Sequence, residues 1–243
     1  APDPPAVTQA VPAAAKRHLV TMMFADLSGS TRLSAQLDAE IYAALLEQLG
    51  ALCRRVIAAH GGSVVRVHGD GMLAMFGHPL AREDDARRAT EAALDLHAAV
   101  AALRIAGVAA TPGLRMHTGI HAGQVLVGEG DAVRGRYELS GIAPNIAARL
   151  SDSAHAGEVL VSEDSLGRRD AQRFIVSSRR LLQPQGAPAP ITVLCIEGRA
   201  TAAPQDAGRR PLHTPFIGRD DALRQLAAAL ASARAAKLAA VAL

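Results

Sequence analysis

The sequence predicts an α+β fold in which an antiparallel sheet carries helices on one face. Three apolar stretches support this prediction, at residues 20–31 (VTMMFADLSGST), 64–76 (VVRVHGDGMLAMF) and 114–128 (LRMHTGIHAGQVLVG). The first two each carry one carboxylate near glycine where an apolar run stops, and the last two alternate as half-buried strands do. Two long segments with apolar residues at helical spacing lie between them, so strands and helices succeed one another along the chain.

The elements of this core follow one another as strand, helix, hairpin, helix and strand. Asp70-Gly71 stands between alternating apolar segments, which is the strongest short-range signal for a two-residue hairpin turn and places Asp70 at its tip. The stretch 114–128 breaks about Gly119 and Gly123 and is predicted as a strand pair. This order matches the ferredoxin-like βαββαβ arrangement. The other predicted elements are a strand at 18–26, a helix through Leu45, Leu49, Leu52 and Val56 that stops at His60-Gly61-Gly62, and a helix at 82–105.

Composition along the chain predicts one folded domain with linkers on both sides. A Pro/Ala-rich linker at 1–16 precedes the domain at 17–198, and a second linker, 199–213, follows it. Residues 214–243 resemble the entry segment of a signalling ATPase module, and since no G-x-x-x-x-G-K-[ST] occurs, that module is expected to be truncated here. The sequence does not begin with Met, which predicts that the chain is a fragment. The later elements of the domain are predicted as strands at 137–139, 158–161 and 191–196 and a helix at 144–151.

The composition excludes several classes of function. The chain has 243 residues, 49% of them hydrophobic, and a net charge of only +3. Aromatic residues make up 2%, which leaves few rings for base stacking, so nucleic-acid binding is not expected. No uncharged apolar run approaches the ~20 residues of a membrane span. Cys53 and Cys195 lie in unrelated apolar segments, which predicts buried free thiols and a cytoplasmic location.

Residues 26–31 have the features of a site for a metal ion and a phosphate. Asp26 closes a strand, and Ser28-Gly29-Ser30-Thr31 opens a helix whose free amides and dipole would face an arriving anion. Phosphate is the expected anion. Taken singly, Asp26 is also typical of a helix cap, and Asp70 of a turn residue that tolerates left-handed backbone angles.

Four strings in register along one domain carry a family resemblance. They are FADLSGST, RVHGDGMLAMFG, RMHTGIHAGQVLVG and NIAARLSDSAHAGEVLVS. Together they resemble the catalytic domain of the class III nucleotidyl cyclases, which convert ATP or GTP to a 3′,5′-cyclic nucleotide and pyrophosphate. The resemblance covers residues 17–198 and implies the ferredoxin-like core of the class III cyclase fold. It also implies a substrate, ATP, and two divalent cations, Mg²⁺ or Mn²⁺.

The resemblance assigns the metal ligands. It implies that Asp26 and Asp70 bridge the two cations, with the backbone carbonyl of Leu27 as a further ligand to one of them. Two cations of this kind would ionise the attacking ribose 3′-oxygen and neutralise the charge on the leaving pyrophosphate.

The resemblance also assigns contacts to the ribose and the α-phosphate. Asn145 and Arg149 are four apart on a predicted helix and therefore project from the same face. By resemblance Asn145 orients the ribose ring, and Arg149 contacts the α-phosphate, where negative charge builds in the transition state. The alternative is a surface pair in which Arg149 binds an acid such as Asp152.

Base and triphosphate contacts depart from the family pattern. Arg66 and Glu138 occupy the positions that read the base, and a cation followed by an acid is nearer to the adenylyl than to the guanylyl pattern. The alternative is that Arg66 and Glu138 form an ion pair with each other. Gln185 stands where a triphosphate-binding lysine is expected, which predicts binding or turnover weaker by about 10–100-fold unless Arg179 or Arg180 compensates.

The resemblance implies that each site is shared between two catalytic domains. This chain carries both sets of residues, so a homodimer would have two equivalent sites. Three alternatives stay open: a guanylyl or dual-specificity cyclase, a weakly active cyclase-homology module that gates a downstream ATPase, and a diguanylate cyclase, whose GG[DE]EF turn is absent. His117 and His121 are predicted to pack in the sheet rather than to bind a metal.

Overall fold

The computed structural model describes residues 16–104, 113–128 and 138–200, and residues 224, 225, 227 and 228 further on. The chain divides into two compact units between Ala203 and Pro204, and every candidate site residue belongs to the first unit. The predicted linkers and the ATPase-like segment lie almost entirely outside the described residues, and they stay predictions. Across the described ranges, none of the helices is both long and apolar enough to cross a membrane.

Eight strands and five helices form the described part of the first unit. Their bounds are β1 Lys16–Leu27, α1 Ser30–Gln36, α2 Ala39–Ala59, β2 Ser63–His68, β3 Gly71–Phe76, α3 Asp85–Ala101, β4 Met116–Gly128, β5 Glu138–Ser140, α4 Ala143–Asp152, β6 Val159–Ser162, α5 Glu163–Ala171, β7 Phe174–Leu182 and β8 Ile191–Arg199.

The eight strands make one sheet. Its order is β2-β3-β1-β4-β6-β8-β7, with β5 paired to the end of β4. The first four strands of this order are all antiparallel neighbours, which confirms the predicted ferredoxin-like core. β4 and β6 are parallel, in contrast to the wholly antiparallel sheet predicted, because α4 carries the chain back across the sheet between them.

The two faces of the sheet carry different helices. Along β1, Met23, Ala25 and Leu27 join the core under α2 and α3, while Val20 and Met22 join a second core with α4 residues. Alternate side chains of a strand point to opposite faces, so α2 and α3 lie on one face and α4 on the other. The two helices of the βαββαβ core therefore share one face as predicted, and α4 covers the opposite one.

β4 is one continuous strand, so the predicted break into a strand pair is wrong. The glycines that suggested the break have another cause. A Cβ on Gly119 would stand 2.2 Å from the backbone oxygen of Ala147, and one on Gly123 would stand 2.9 Å from Ala143 Cβ. These glycines let α4 pass close over β4, which fixes the helix that carries Asn145 and Arg149.

The hairpin turn is shifted by one residue from its predicted position. His68 pairs with Gly71, so the two loop residues are Gly69 and Asp70 rather than Asp70 and Gly71. Gly69 adopts the left-handed conformation, with φ of +60°. Asp70 still lies at the tip of the hairpin, as predicted.

Two elements, α5 and β7, have no counterpart in the sequence prediction. α5 is rich in charged residues and buries only Leu166, so its apolar periodicity is weak. β7 exposes most of its side chains at the outer edge of the sheet. α5 therefore lacks the helical periodicity, and β7 the alternating burial, on which a sequence prediction depends.

Cys53 and Cys195 are buried free thiols, and burial raises the pKa of Cys53 to about 11.

Candidate active site

The two predicted metal carboxylates lie beside each other at one end of the sheet. Asp26 is the penultimate residue of β1, and Asp70 lies at the tip of the β2–β3 hairpin. The register of β1 and β3 sets Ala25 opposite Met72, which brings the hairpin tip next to Asp26. The side chains of the two aspartates are hydrogen bonded, although they lie 44 positions apart in the numbering, from 26 to 70. The fold therefore makes one acidic pair out of the two sequence motifs.

The pKa of Asp26 is raised to about 7, first by burial and then by the hydrogen bond and the negative charge of Asp70. The charge of Asp152 adds a smaller effect in the same direction, and the backbone N–H of Leu27, which donates to Asp26 Oδ1 at 3.0 Å, opposes it. A half-buried carboxyl beside a second carboxyl is stabilised in its protonated form. Asp26 and Asp70 therefore oppose each other's ionisation.

The chemistry of this pair fits a divalent cation. Carboxylate oxygens are the ligands that Mg²⁺ and Mn²⁺ prefer, and a cation would remove the repulsion between Asp26 and Asp70. In the parts of the chain that the structure describes, no cluster of three or more His, Cys, Asp or Glu side chains could hold a metal. One or two carboxylates completed by backbone oxygens, substrate phosphates and water is the usual donor set for Mg²⁺.

The predicted phosphate loop is only partly available. The backbone N–H of Ser28 donates to the carbonyl oxygen of Arg115 at 2.8 Å, so the prediction that this amide is free for phosphate is wrong. The pairing extends the β1–β4 ladder by one residue and consumes the donor. Gly29 is exposed with φ of +74° and precedes α1, in which Ser30 and Thr31 form the first turn. Phosphate contacts by Gly29, Ser30 and Thr31 stay a prediction.

A cavity of about 400 Å³ lies on the face of the sheet that α4 covers. Arg66 of β2 and Asn145 of α4 both line it, together with Phe24 and Leu73 from the sheet. β2 has a register shift between Val64 and Arg66, and an irregularity of this kind re-aims the side chains around it. The structure thus brings a predicted base contact and the predicted ribose contact into one cavity.

The side chain of Glu138, the second predicted base contact, is not among those the structure describes. Its backbone pairs with Gly128 at the start of β5, and Leu139 and Ser140 of the same strand line the cavity. The alternative in which Arg66 and Glu138 form an ion pair therefore stays open.

Arg149 forms the ion pair that the alternative reading predicted. Its Nη1 lies 3.2 Å from Oδ2 of Asp152, one turn further along α4. Both side chains are more than half exposed, at 51% and 58%, so the pair contributes at most ~1 kcal/mol. Asn145 is also exposed. A phosphate would compete readily with Asp152 for this guanidinium.

Gln185 is exposed in the turn between β7 and β8. Neither of the arginines that could compensate for it is free. Arg179 pairs with Glu163, and Arg180 Nη1 donates to Glu158 Oε2 at 3.1 Å. Neither arginine of β7 is therefore left unpaired to replace the triphosphate-binding lysine expected at position 185.

Three further residues lie near the carboxylate pair, and the sequence prediction gave none of them a part in the metal site. His117 lies directly opposite Asp26 on β4, and burial lowers its pKa. Burial raises the pKa of Tyr42, and the charges of Asp70 and Asp26 raise it further, while Asp152 acts on Asp26 as described above. Only the strand register, which is not visible in the sequence, brings His117 to this position.

The two histidines of β4 contact different elements of the protein. His117 Nδ1 lies 3.3 Å from the backbone oxygen of Ser151 in α4, and His121 Nδ1 lies 2.9 Å from Ser162 Oγ at the end of β6. These hydrogen bonds tie β4 to its neighbours, as expected for histidines that pack in the sheet.

The chain belongs to a known family. Residues 13–195 match the family model for the adenylate and guanylate cyclase catalytic domain. A curated relative, adenylate cyclase 1 of Rhizobium meliloti, is 35% identical over 116 residues, which are 47% of this chain and 17% of that protein. An uncharacterized protein of the same organism is 33% identical over 115 residues, 47% of this chain and 11% of its own length. The chain therefore spans only a small part of these relatives.

Solved structures of cyclase catalytic domains share the fold. The guanylyl cyclase Cya2 is 28% identical with a TM-score of 0.69, over 79% of this chain and 97% of that one. The adenylyl cyclase CyaB of P. aeruginosa is 25% identical with a TM-score of 0.66, over 77% and 97%. The class III cyclase fold predicted from the four strings is confirmed.

Proposed function

We propose that this domain converts ATP to 3′,5′-cyclic AMP and pyrophosphate. The observation that carries the proposal is the hydrogen-bonded Asp26–Asp70 pair, placed on the same sheet as a cavity that Arg66 and Asn145 line. A curated relative named adenylate cyclase supports ATP as the substrate. ATP is abundant in the cytoplasm, and two buried free thiols are in keeping with that reducing compartment, where we place the domain.

Each residue has a distinct part in the proposed reaction. Asp26 and Asp70, with the carbonyl oxygen of Leu27, would hold two Mg²⁺ or Mn²⁺ ions, which supply a lowered pKa for the ribose 3′-hydroxyl and neutralise phosphate charge. Asn145 orients the ribose so that its 3′-oxygen lies in line with the α-phosphorus. Arg149 leaves Asp152 and binds the α-phosphate oxygens, whose charge grows during the attack.

The proposed active form is a homodimer with two shared sites. One protomer supplies Asp26 and Asp70, and its partner supplies Arg66, Asn145 and Arg149. Every one of these residues is present in a single chain, which suits a twofold interface where the same surface serves both protomers. A monomer would then hold two half sites and would not turn over ATP.

Base selection is proposed to depend on Arg66 and Glu138. An acid at 138 would accept a hydrogen bond from the adenine amino group, and the Arg66 guanidinium would donate to a ring nitrogen. A guanylyl or dual-specificity cyclase is the second candidate, because a structural relative at 28% identity is a guanylyl cyclase and arginine is a wider donor than lysine.

Separate assays with ATP and with GTP, each with Mn²⁺, test this proposal. We expect cyclic AMP to form from ATP faster than cyclic GMP forms from GTP, and Asp70→Asn to abolish both products. Faster formation of cyclic GMP would contradict the adenylyl proposal and support the guanylyl candidate.

A regulatory module that binds nucleotide and gates a downstream ATPase is a third candidate. The observation that favours it is the exposed Gln185 together with the pairing of Arg179 and Arg180 to acids. Nucleotide binding by calorimetry with no cyclic product from either nucleotide would select this candidate over both enzymes.

A further inference from the structure

A second cavity, of about 440 Å³, lies between α1 and the start of β4. We call it the α1–β4 cavity. Ser28, Gly29, Arg32 and Gln36 line it from one side and Arg115 from the other. None of its lining residues lines the cavity of Arg66 and Asn145. It is therefore a separate recess, next to the end of β1.

The α1–β4 cavity is positively charged and has spare hydrogen-bonding capacity. Arg32 and Arg115 line it, and no acidic side chain does. Within the described ranges, neither guanidinium forms a hydrogen bond or an ion pair, unlike those of Arg149, Arg179 and Arg180. Ser28 Oγ is buried and has no hydrogen-bond partner among the described residues. Such a recess is suited to a multiply charged anion.

Strand register places this cavity beside the carboxylate pair. His117 lies opposite Asp26, and the bond from the Ser28 amide to the Arg115 oxygen continues the same ladder two residues further. Ser28 and Arg115, which both line the cavity, therefore each lie two residues from the Asp26–His117 pair, just beyond the ends of β1 and β4. The cavity therefore adjoins the residues that would hold a metal-bound nucleotide.

We propose that Arg115 and Arg32 bind the β- and γ-phosphates of the nucleotide, and afterwards the pyrophosphate product, in the α1–β4 cavity. This proposal rests on the proposed cyclase function and adds the residues that position its leaving group. The two guanidiniums supply the positive charge that Gln185 lacks. Arginine presents several N–H donors in a fixed plane, which matches phosphate oxygens.

Calorimetry with inorganic tripolyphosphate in EDTA tests the cavity without any contribution from a metal. We compare the unaltered protein with Arg115→Ala, Arg32→Ala and, as a matched control, Arg55→Ala, which removes an exposed arginine of α2. We expect the unaltered protein and Arg55→Ala to bind alike, and each cavity variant to bind ~10-fold more weakly. Arg115→Lys, which keeps the charge, is expected to fall between. No binding by the unaltered protein, or equal binding by Arg115→Ala, would overturn the proposal.

Enzyme kinetics test whether the cavity binds the phosphates of the nucleotide. Arg115→Ala should raise the KM for ATP and the inhibition constant of pyrophosphate ~10-fold, while inhibition by 3′-deoxyadenosine, which has no phosphates, stays unchanged. An equal loss for both inhibitors would contradict a phosphate role. If no cyclic product forms from ATP or GTP, the cyclase function fails, and tripolyphosphate binding still decides whether the cavity is an anion site.

Discussion

At the scale of single residues, the site is defined by an unfavourable contact that the fold imposes. Asp26 and Asp70 come from separate motifs, and the β1–β3 register brings their carboxyl groups close to each other. Burial and this neighbour raise the pKa of Asp26 to about 7, which costs the protein stability when both groups are ionised. A contact that opposes folding and serves no packing purpose is a common mark of a functional site.

Replacing Asp70 by Asn separates stability from activity. Asparagine suits the hairpin tip as well as aspartate does, and it removes one of two like charges. At pH 8 we expect Asp70→Asn to raise the free energy of unfolding by about 1 kcal/mol, the equivalent of somewhat less than one pKa unit. Cyclic product should fall at least ~100-fold. Urea unfolding and the Mn²⁺ assay measure both, and a less stable or fully active variant would contradict this interpretation.

His97 predicts how stability depends on pH. Burial, with a smaller effect of His117, lowers the pKa of His97 to about 4 from its ordinary 6.5, and its Nε2 lies 2.8 Å from Thr118 Oγ1. Between these two values the unfolded chain binds more protons than the folded protein, so stability is lost as the pH falls from 6.5 toward 4. The contribution of His97 to that loss is roughly 3 kcal/mol.

Replacement of His97 by Gln tests this dependence. Glutamine has a similar volume, can hydrogen bond to Thr118 and does not titrate. We expect the difference in unfolding free energy between pH 7 and pH 4 to be smaller in His97→Gln than in the unaltered protein. The comparison cancels other groups, including Asp26, whose raised pKa acts in the opposite direction. Parallel pH profiles for the two proteins would show that His97 is not buried in its neutral form.

At the scale of elements, α4 positions the ribose and phosphate contacts by crossing β4 at very short range. Gly119 makes this possible, because a Cβ there would stand 2.2 Å from the Ala147 oxygen and 2.3 Å from the Ser151 nitrogen. Both atoms are backbone, so no side-chain rotation relieves the clash. The close crossing also holds His117 against α4.

Addition of one methyl group to Gly119 should therefore displace the helix. We expect Gly119→Ala to lower the free energy of unfolding by roughly 3 kcal/mol and to impair catalysis by moving Asn145 and Arg149 together. Gly198→Ala is the matched control, because its new Cβ would meet only Ile175 Cδ1, at 4.0 Å. Thermal unfolding compares the two variants, and equal stability would contradict the close crossing.

Elements with strong local patterns could be predicted from the sequence. Features that depend on tertiary contacts could not. The apolar runs that stop at Asp26 and Asp70 identified the carboxylate pair, because a strand end and a hairpin tip each have a local signal. Gly119 was misread as a strand break, since a glycine that accommodates a neighbouring helix looks the same in sequence. The choice of Asp152 as the partner of Arg149 was visible only as one of two alternatives.

At the scale of the whole molecule, catalysis is proposed to require two copies of the chain. The described residues of one protomer contain both the metal carboxylates and the cavity of Arg66 and Asn145, and Arg149 is held by Asp152. Breaking that exposed ion pair costs at most ~1 kcal/mol, which a phosphate contact repays. The sequence alone does not reveal how two copies meet, because that depends on surfaces that only the fold assembles.

Mixing two inactive variants tests the shared site most directly. Asp26→Ala lacks the metal carboxylate and Asn145→Ala lacks the ribose contact, so each homodimer has two defective sites. In an equimolar mixture that exchanges subunits freely, half of the dimers are mixed and each keeps one intact site, which predicts recovery of about a quarter of the unaltered activity. A mixture that forms dimers in sedimentation, yet makes no more cyclic AMP than either variant alone, would contradict the shared site.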